Sequence, residues 1–495
     1  MSENGQALRH VPTFEPADCR FAIAADLDIR CGLVSVPARR DVADPAFIDL
    51  AVTIFPAVDG TGARPPVIFL DGGPGEIAFF EAVDGYDPLD DWLHIADAVG
   101  TDRDFVLLEQ RGVGFSGPDL DCPELEAVAE GGVIDTGAII EAEVAAVAEC
   151  RVRLAETLDE VAITTQESAA DVLAVADALD AGRFALMGVS YGSRLALEVM
   201  RQAPDRVEAA VLDSVYPPSV NWFEQGADLY RAAFDAVFDA CAADRTCDDV
   251  FPDIADRFHA MLEAVRRDPV SVTIVDEEGG EERAAVLLDD VGTVEGLFLL
   301  LYDSDVIAGL PSLLDGVAPA DANAVDENAG EPAILAEYID YPHLGSRSSA
   351  EGQYLAIECA ESVLAADEER VNAALAGDGP YERAARAHWE QMRAVCGAWN
   401  AAPAPRPAPV SVDVPTLLLT GRFDPVTPVR WARDLARGLP QSMLLEFPDA
   451  SHSVMTSNPC ALRTAAAFLE RGTTDEACLA ERRPVTFVTD RQFRP

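Results

Sequence analysis

Ser190 stands between two glycines in Gly188-Val189-Ser190-Tyr191-Gly192, where an apolar run from Phe184 meets a helical pattern that starts at once. A G-x-S-x-G pentapeptide between a strand and a helix forces the serine into a sharp turn and projects its hydroxyl into a cleft. The first N–H groups of the following helix point at the same cleft. Taken alone, the pentapeptide also fits an ordinary glycine-rich turn with a structural serine. A hydroxyl is a poor nucleophile near neutral pH and needs a base.

The chain has six histidines. His452, in "FPDASHSVM", directly follows the last core-strand pattern and is the expected base. His10 lies in the leading segment, His343 in the loop pattern "DYPHLGS", and His94, His259 and His388 in helical patterns where packing accounts for them. The imidazole needs an acid to hold one tautomer. Asp424 ends "TLLLTGRFD", just past another buried-strand pattern, in a loop stiffened by Pro425 and Pro428, and is the expected acid; Asp449 reads as a turn residue. Two donors must face the oxyanion of a tetrahedral intermediate. The N–H of Tyr191 is one, and Gly73 or Gly72 of "DGGPG" supplies the other.

These residues need a scaffold that brings distant loops to one edge. "IRCGLVSVPA" and "IDLAVTIFPA" read as strands, after a leading segment, residues 1–18, that reads as loose. "PPVIFL", "DFVLLEQRG", "RFALMGVS", "VEAAVLDSV", "PTLLLTGRFD" and "SMLLEFPDASHS" read as strands buried on both faces, with helical patterns between several of them. That alternation predicts an α/β fold with a mainly parallel sheet. It breaks between about Pro217 and Pro409, where helical patterns and one possible hairpin, "VSVTIVDEEGGEERAAVLL", run into the proline-rich "AAPAPRPAPVSVDVP". The expected organisation is a core built from residues 1–216 and 410–495, with a mostly helical cap domain over 217–409. No internal repeat is visible.

With 36 basic residues against 87 acidic ones, the chain carries a net charge of −51, and all its basic residues are arginines. Such a surface repels nucleic acid and anionic lipid and favours solubility. A GC-rich genome with selection for an acidic surface, as in a salty habitat, is the preferred explanation; the alternative is that the acidity attracts cationic substrates. No apolar run approaches the ~18 residues of a membrane helix, so no membrane insertion is expected. The first residues, "MSENGQALRHVPTFEPADC", have no basic n-region and no apolar h-region, so no signal peptide is legible. Ten cysteines, at 19, 31, 122, 150, 241, 247, 359, 396, 460 and 478, group as near neighbours without any Cys-x-x-Cys. Five local disulfides in an oxidising, extracytoplasmic compartment are expected; the alternative is a set of buried thiols in a cytosolic protein.

Together, "DGGPG", "EQRGVGFSGP", "GVSYGSRLALEV", "LLLTGRFDPVTPVRWA" and "SHSVM" with its following cysteine resemble the proline iminopeptidase and tripeptidyl aminopeptidase group of α/β-hydrolase serine peptidases. The likeness runs over nearly the whole chain and is nearest to the bacterial tripeptidyl-aminopeptidase-like branch, whose members are usually exported. The order Ser190, Asp424, His452 is that of α/β-hydrolases. The resemblance implies an α/β-hydrolase core with an inserted cap and an exopeptidase acting at free amino termini. In that family cap acids hold the substrate ammonium, and "AIECAE" offers Glu358 and Glu361. Asp71 stands where the family often has His, Glu109 where it often has Asp, and Ser451 and Ser453 where glycines are usual. Gln110-Arg111-Gly112 is expected to brace the cleft. The substrate is therefore expected to be a peptide or a small ester, with no metal or organic cofactor. A carboxylesterase is the rival enzyme, and a non-catalytic binding relative the rival of another class.

Overall fold

The computed structural model describes residues 11–24, 27–79, 87–130, 136–275, 282–317 and 349–489. In chain order the strands are β1 (Phe14–Ala17), β2 (Arg30–Pro37), β3 (Phe47–Phe55), β4 (Val67–Leu70), β5 (Phe105–Leu108), β6 (Phe184–Val189), β7 (Val207–Asp213), β8 (Val270–Val275), β9 (Glu282–Leu288), β10 (Thr416–Gly421) and β11 (Ser442–Phe447). Among the described residues, nine of them form one sheet in the order β1-β2-β3-β5-β4-β6-β7-β10-β11. The β1, β2, β3 and β5 neighbours pair antiparallel; every pairing from β5 to β11 is parallel. This is an α/β-hydrolase fold.

The parallel strands are uniformly apolar because both faces of the sheet are covered. Ile68, Leu186, Leu212 and Leu418 point into one core, shared with the helices Thr165–Ala178 and Tyr191–Gln202. Their neighbours Phe69, Met187, Val211 and Leu419 point into the other, shared with the helices Pro88–Val99 and Pro459–Arg471. Each such side chain, fully buried, contributes about 1.5–3 kcal/mol.

The leading segment is more ordered than expected. Residues 14–17 pair with β2, Phe14 opposite Val34. The ring of Phe14 lies over Gly32, where a Cβ would sit 2.4 Å from it, and the Cys19–Cys31 disulfide ties the two segments together. Four residues, three of them exposed and one a proline, give too weak a pattern to show this in sequence.

Between β7 and β10 run the helices Ala227–Ala243, Ile254–Arg267, Asp290–Leu300, Ser304–Val317, Glu351–Ile357 and Pro380–Trp399, together with the antiparallel β8–β9 hairpin. Their apolar faces, through Phe234, Phe258 and Leu297, join the core on the Leu186 side of the sheet. The proline-rich stretch has no regular structure, and Ala404 N–H returns to Ala360 C=O at 2.8 Å. Five disulfides pair chain neighbours: Cys19–Cys31, Cys122–Cys150, Cys241–Cys247, Cys359–Cys396 and Cys460–Cys478.

Arg111 is wholly buried behind the loop that follows β5. Its guanidinium grips both oxygens of Asp171 at 2.7 Å and donates to the carbonyls of Ala38 and Ala162, at 3.1 and 2.7 Å. Arg40 Nη2 also donates to Asp171 Oδ1, at 2.6 Å, so losing Arg111 takes away the bidentate partner but leaves Asp171 one cation. Arg111→Ala is therefore expected to lower stability by about 1.5–3 kcal/mol, read as a shift of the urea midpoint.

Candidate active site

The carboxyl ends of β4, β6, β7, β10 and β11 lie side by side, and the loops leaving them converge. Ser190 follows β6 with φ +54° and ψ −122°, outside the regions L-residues favour. Two close approaches impose the turn. A Cβ at Gly188 would sit 2.4 Å from Gly192 O, and one at Gly192 would sit 1.9 Å from Leu70 O at the end of β4. The helix Tyr191–Gln202 starts directly after Ser190, so the Tyr191 N–H is one of its uncommitted first donors.

His452 follows β11. Its Nδ1 lies 3.0 Å from Asp424 Oδ2, which follows β10. Asp424 is in turn held by the N–H groups of Thr427 and Val426, at 2.8 and 3.1 Å, and by the Thr427 hydroxyl. Burial pushes the Asp424 carboxyl up, but the His452 charge and hydrogen bonds from His452 and Thr427 outweigh it and hold it below its ordinary value. Burial pushes His452 down, and the charge and hydrogen bond of Asp424, aided by Asp213 and Glu76, outweigh that and raise it. With Nδ1 committed to Asp424, Nε2 is the nitrogen left to take a proton. Ser190 and His452 line one cavity. Among the described residues no hydrogen bond joins them directly, and such bonds commonly tighten only when substrate is bound.

The histidine loop is anchored from β7. Asp213 Oδ2 accepts from Met455 N–H at 2.7 Å, and Ser214 Oγ accepts from Ser453 N–H at 2.9 Å. Burial pushes the Asp213 carboxyl up to about 6. Its position at the end of a buried strand is the same signal that marks Asp424, and sequence reasoning passed over it.

The loop after β4 separates the two glycine candidates. Gly72 packs against the nucleophile, a Cβ there lying 3.4 Å from Ser190 Cβ, but its N–H is taken by Asp71 Oδ1 at 2.9 Å. Gly73, at φ +96°, is exposed in the cleft, and no acceptor holds its N–H among the described residues. Gln110 Nε2 donates to Asp71 C=O at 3.1 Å, which fixes this loop from behind. Glu109 accepts the Phe115 N–H at 2.8 Å, and burial pushes its carboxyl up to about 7.

Two cavities meet at Ser190. One, of about 350 Å³, runs under the helical segment between aromatic walls that include Trp222, Tyr230 and Phe298. Glu295, Glu351 and Glu358 all line it. Burial raises Glu358, whose Oε2 accepts the Ser362 hydroxyl at 2.9 Å, and pushes Glu295, bonded to Tyr230 Oη at 2.7 Å, up to about 8. Glu361 is not at this cavity. Its oxygens take the N–H and hydroxyl of Thr165, at 2.8 and 2.7 Å, with Arg194 at 3.7 Å. The segment Glu358–Val363 is a π-helix, so residues three apart diverge further than on an α-helix. His388 also lines the aromatic cavity, stacked on Phe223. The second cavity, of about 540 Å³, is lined by His452, Glu76, Asp303 and hydroxyls of Ser304, Ser453 and Thr456. Tyr302 stands between the two, its ring edge-on to His452 with centroids 5.0 Å apart. Of the other histidines, His259 lies 3.2 Å from Tyr381 Oη, and His94 is exposed on its helix. His10 and His343 lie outside the described residues.

Residues 65–262 match the α/β hydrolase fold family, and residues 381–479 match the TAP-like protein family. The chain is 26% identical over 482 residues to serine protease Hip1 of Mycobacterium tuberculosis, covering 90% of this chain and 85% of the relative. It is 26% identical over 491 residues to a tripeptidyl aminopeptidase of Streptomyces lividans, covering 92% and 84%. An esterase structure from Thermogutta terrifontis covers 88% of this chain and 98% of its own, with a TM-score of 0.39 at 15% identity. This chain is a serine hydrolase of the α/β-hydrolase superfamily. Its C-terminal part is of the TAP-like kind.

The raised His452 value has a direct readout. The imidazole is expected to stay protonated above its ordinary 6.5, followed by NMR of ring-labelled histidine. Asp424→Asn removes the largest raising influence and is expected to bring the titration below that of the parent protein.

Proposed function

We propose that this protein is a serine aminopeptidase that cleaves peptides with a free amino terminus through an acyl-enzyme. The observation that carries the reading is the aromatic-walled cavity beside Ser190 that presents Glu295, Glu351 and Glu358. A terminal ammonium entering it meets carboxyl groups held poorly solvated. Its charge favours their ionised forms and supplies charge-assisted hydrogen bonds. A blocked terminus offers neither. The names and coverage of the curated relatives agree with this reading.

Ser190 Oγ attacks the scissile carbonyl while His452 Nε2 takes its proton, and Asp424 holds the imidazolium. The N–H groups of Tyr191 and Gly73 stabilise the oxyanion. Collapse breaks the C–N bond, and His452 passes its proton to the departing amine. Water, deprotonated by His452, then releases the acyl group. Glu358 is the amine-binding acid of this scheme and Glu361 a brace for Thr165. The five disulfides support an extracytoplasmic site of action, and no described helix is long and apolar enough to cross a membrane.

The test uses a set of aminoacyl, dipeptidyl and tripeptidyl amides, each free and N-acetylated, beside p-nitrophenyl esters. Free-amine amides are expected to be cleaved, acetylation to cost about tenfold or more in kcat/KM, and Glu358→Gln to narrow that gap. Ser190→Ala is expected to lower kcat about 10⁶-fold and abolish fluorophosphonate labelling. Brisk ester turnover without amide turnover would make it a carboxylesterase. Absence of any adduct at Ser190 would leave a binding protein.

A further inference from the structure

The two cavities at Ser190 have different chemistry, and His452 tells them apart. The proton that leaves Ser190 returns to the departing group from His452, so that group must exit on the imidazole side. His452 lines the larger cavity and is not among the residues lining the aromatic one. The aromatic cavity therefore takes the acyl part, and the larger cavity takes the group that leaves.

That leaving-group cavity is lined mainly by residues with polar side chains, with Tyr302 as its aromatic wall. Glu76 and Asp303 both line it, one from the loop after β4 and the other from the residue before the helix Ser304–Val317. The hydroxyls of Ser304, Ser349, Ser453, Thr456 and Ser457 line it with them. Apart from His452, no basic side chain lines it among the described residues. Both carboxylates are exposed to the cleft. Neither is engaged by an arginine among the described residues, unlike Glu198 and Glu224, which pair with Arg201 and Arg406. Asp303 Oδ1 accepts only the N–H of Asp305, at 2.8 Å. Burial and the Glu76 charge push Asp71, behind Glu76, well up; burial also raises Glu76, against the opposing pull of the His452 charge.

We infer that the cleft selects substrates whose leaving group carries a cation, held by Glu76 and Asp303: in a peptide, a lysine or arginine immediately after the scissile bond. The inference deepens the aminopeptidase reading but does not need it, because an ester with a cationic alcohol would use the same two carboxylates. The hydroxyls suit a hydrated ammonium or guanidinium, and the stem of a lysine or arginine can lie along Tyr302. An acidic residue at that position meets two like charges and is rejected.

Two substrate pairs decide it. Peptides of one acyl sequence are made with lysine, norleucine or glutamate after the cleaved bond. In parallel, the choline and 3,3-dimethylbutyl esters of one acid are compared, alcohols of the same shape with and without the charge. Each ester rate is divided by its hydroxide-catalysed rate. The expected kcat/KM order is lysine, norleucine, glutamate, with the choline ester favoured about three- to tenfold. Glu76→Gln, Asp303→Asn and their double variant are expected to bring both preferences toward unity stepwise, as is 1 M salt (a Debye length of about 3 Å). A wild-type preference at or below one, or an unchanged preference in the double variant, overturns the inference. Refusal of every peptide with a retained choline preference would overturn the aminopeptidase reading alone. Turnover of no peptide and of neither ester overturns both.

Discussion

The backbone at Gly192 passes so close to the end of β4 that a single added carbon would lie 1.9 Å from Leu70 O. That contact presses the helix after Ser190 against the strand that launches the Asp71–Gly75 loop. It sets the distance between Ser190 and the Asp71–Gly75 loop without any side chain taking part. Everything else in the site is arranged around it. Gln110 holds the loop from behind, Arg111 anchors the segment that carries Gln110, and Asp213 pins the histidine loop from the neighbouring strand. The strained φ of Ser190 persists because strand, helix and loop all have to move together to relieve it.

The electrostatics follow from crowding carboxyl groups around one imidazole. Asp424 is ionised because it receives four hydrogen bonds, from His452, Val426 and twice from Thr427. Asp71, Glu109, Asp213 and Glu295 lack that degree of support, and burial pushes each of them up. Acids of one kind are thus driven in different directions by burial, by the charge beside them and by their hydrogen bonds. A chain with no lysine reaches this arrangement with arginine as its only strong cation, and spends it mainly on bracing.

The core strands and the three residues at their ends were legible because each signal is local: a continuous apolar run, then a glycine, aspartate or histidine at its carboxyl end. The pairing of the cysteines was legible for the same reason, since every bridge joins chain neighbours. What lay hidden depends on contacts between distant segments. Glu295, Glu351 and His388 reach the cavity only because three separate helices pack over it, and nothing in their own surroundings in sequence distinguishes them from solvated residues. Glu361 looked equivalent to Glu358, and the π-helical turn turned it toward Thr165. The strand Phe14–Ala17 is held by a ring lying over Gly32 and by a disulfide, neither of which has a periodic signature.

β7 and β10 are neighbours in the sheet, with Leu212 opposite Leu418, yet the whole helical segment separates them along the chain. A ribosome delivers the serine, the oxyanion loop and seven strands of the fold long before it delivers the aspartate and the histidine. Pairing across roughly two hundred residues is slow and comes late. The nascent polypeptide therefore spends most of its synthesis as a chemically idle precursor, and becomes a hydrolase only when its final two strands close the edge of the sheet.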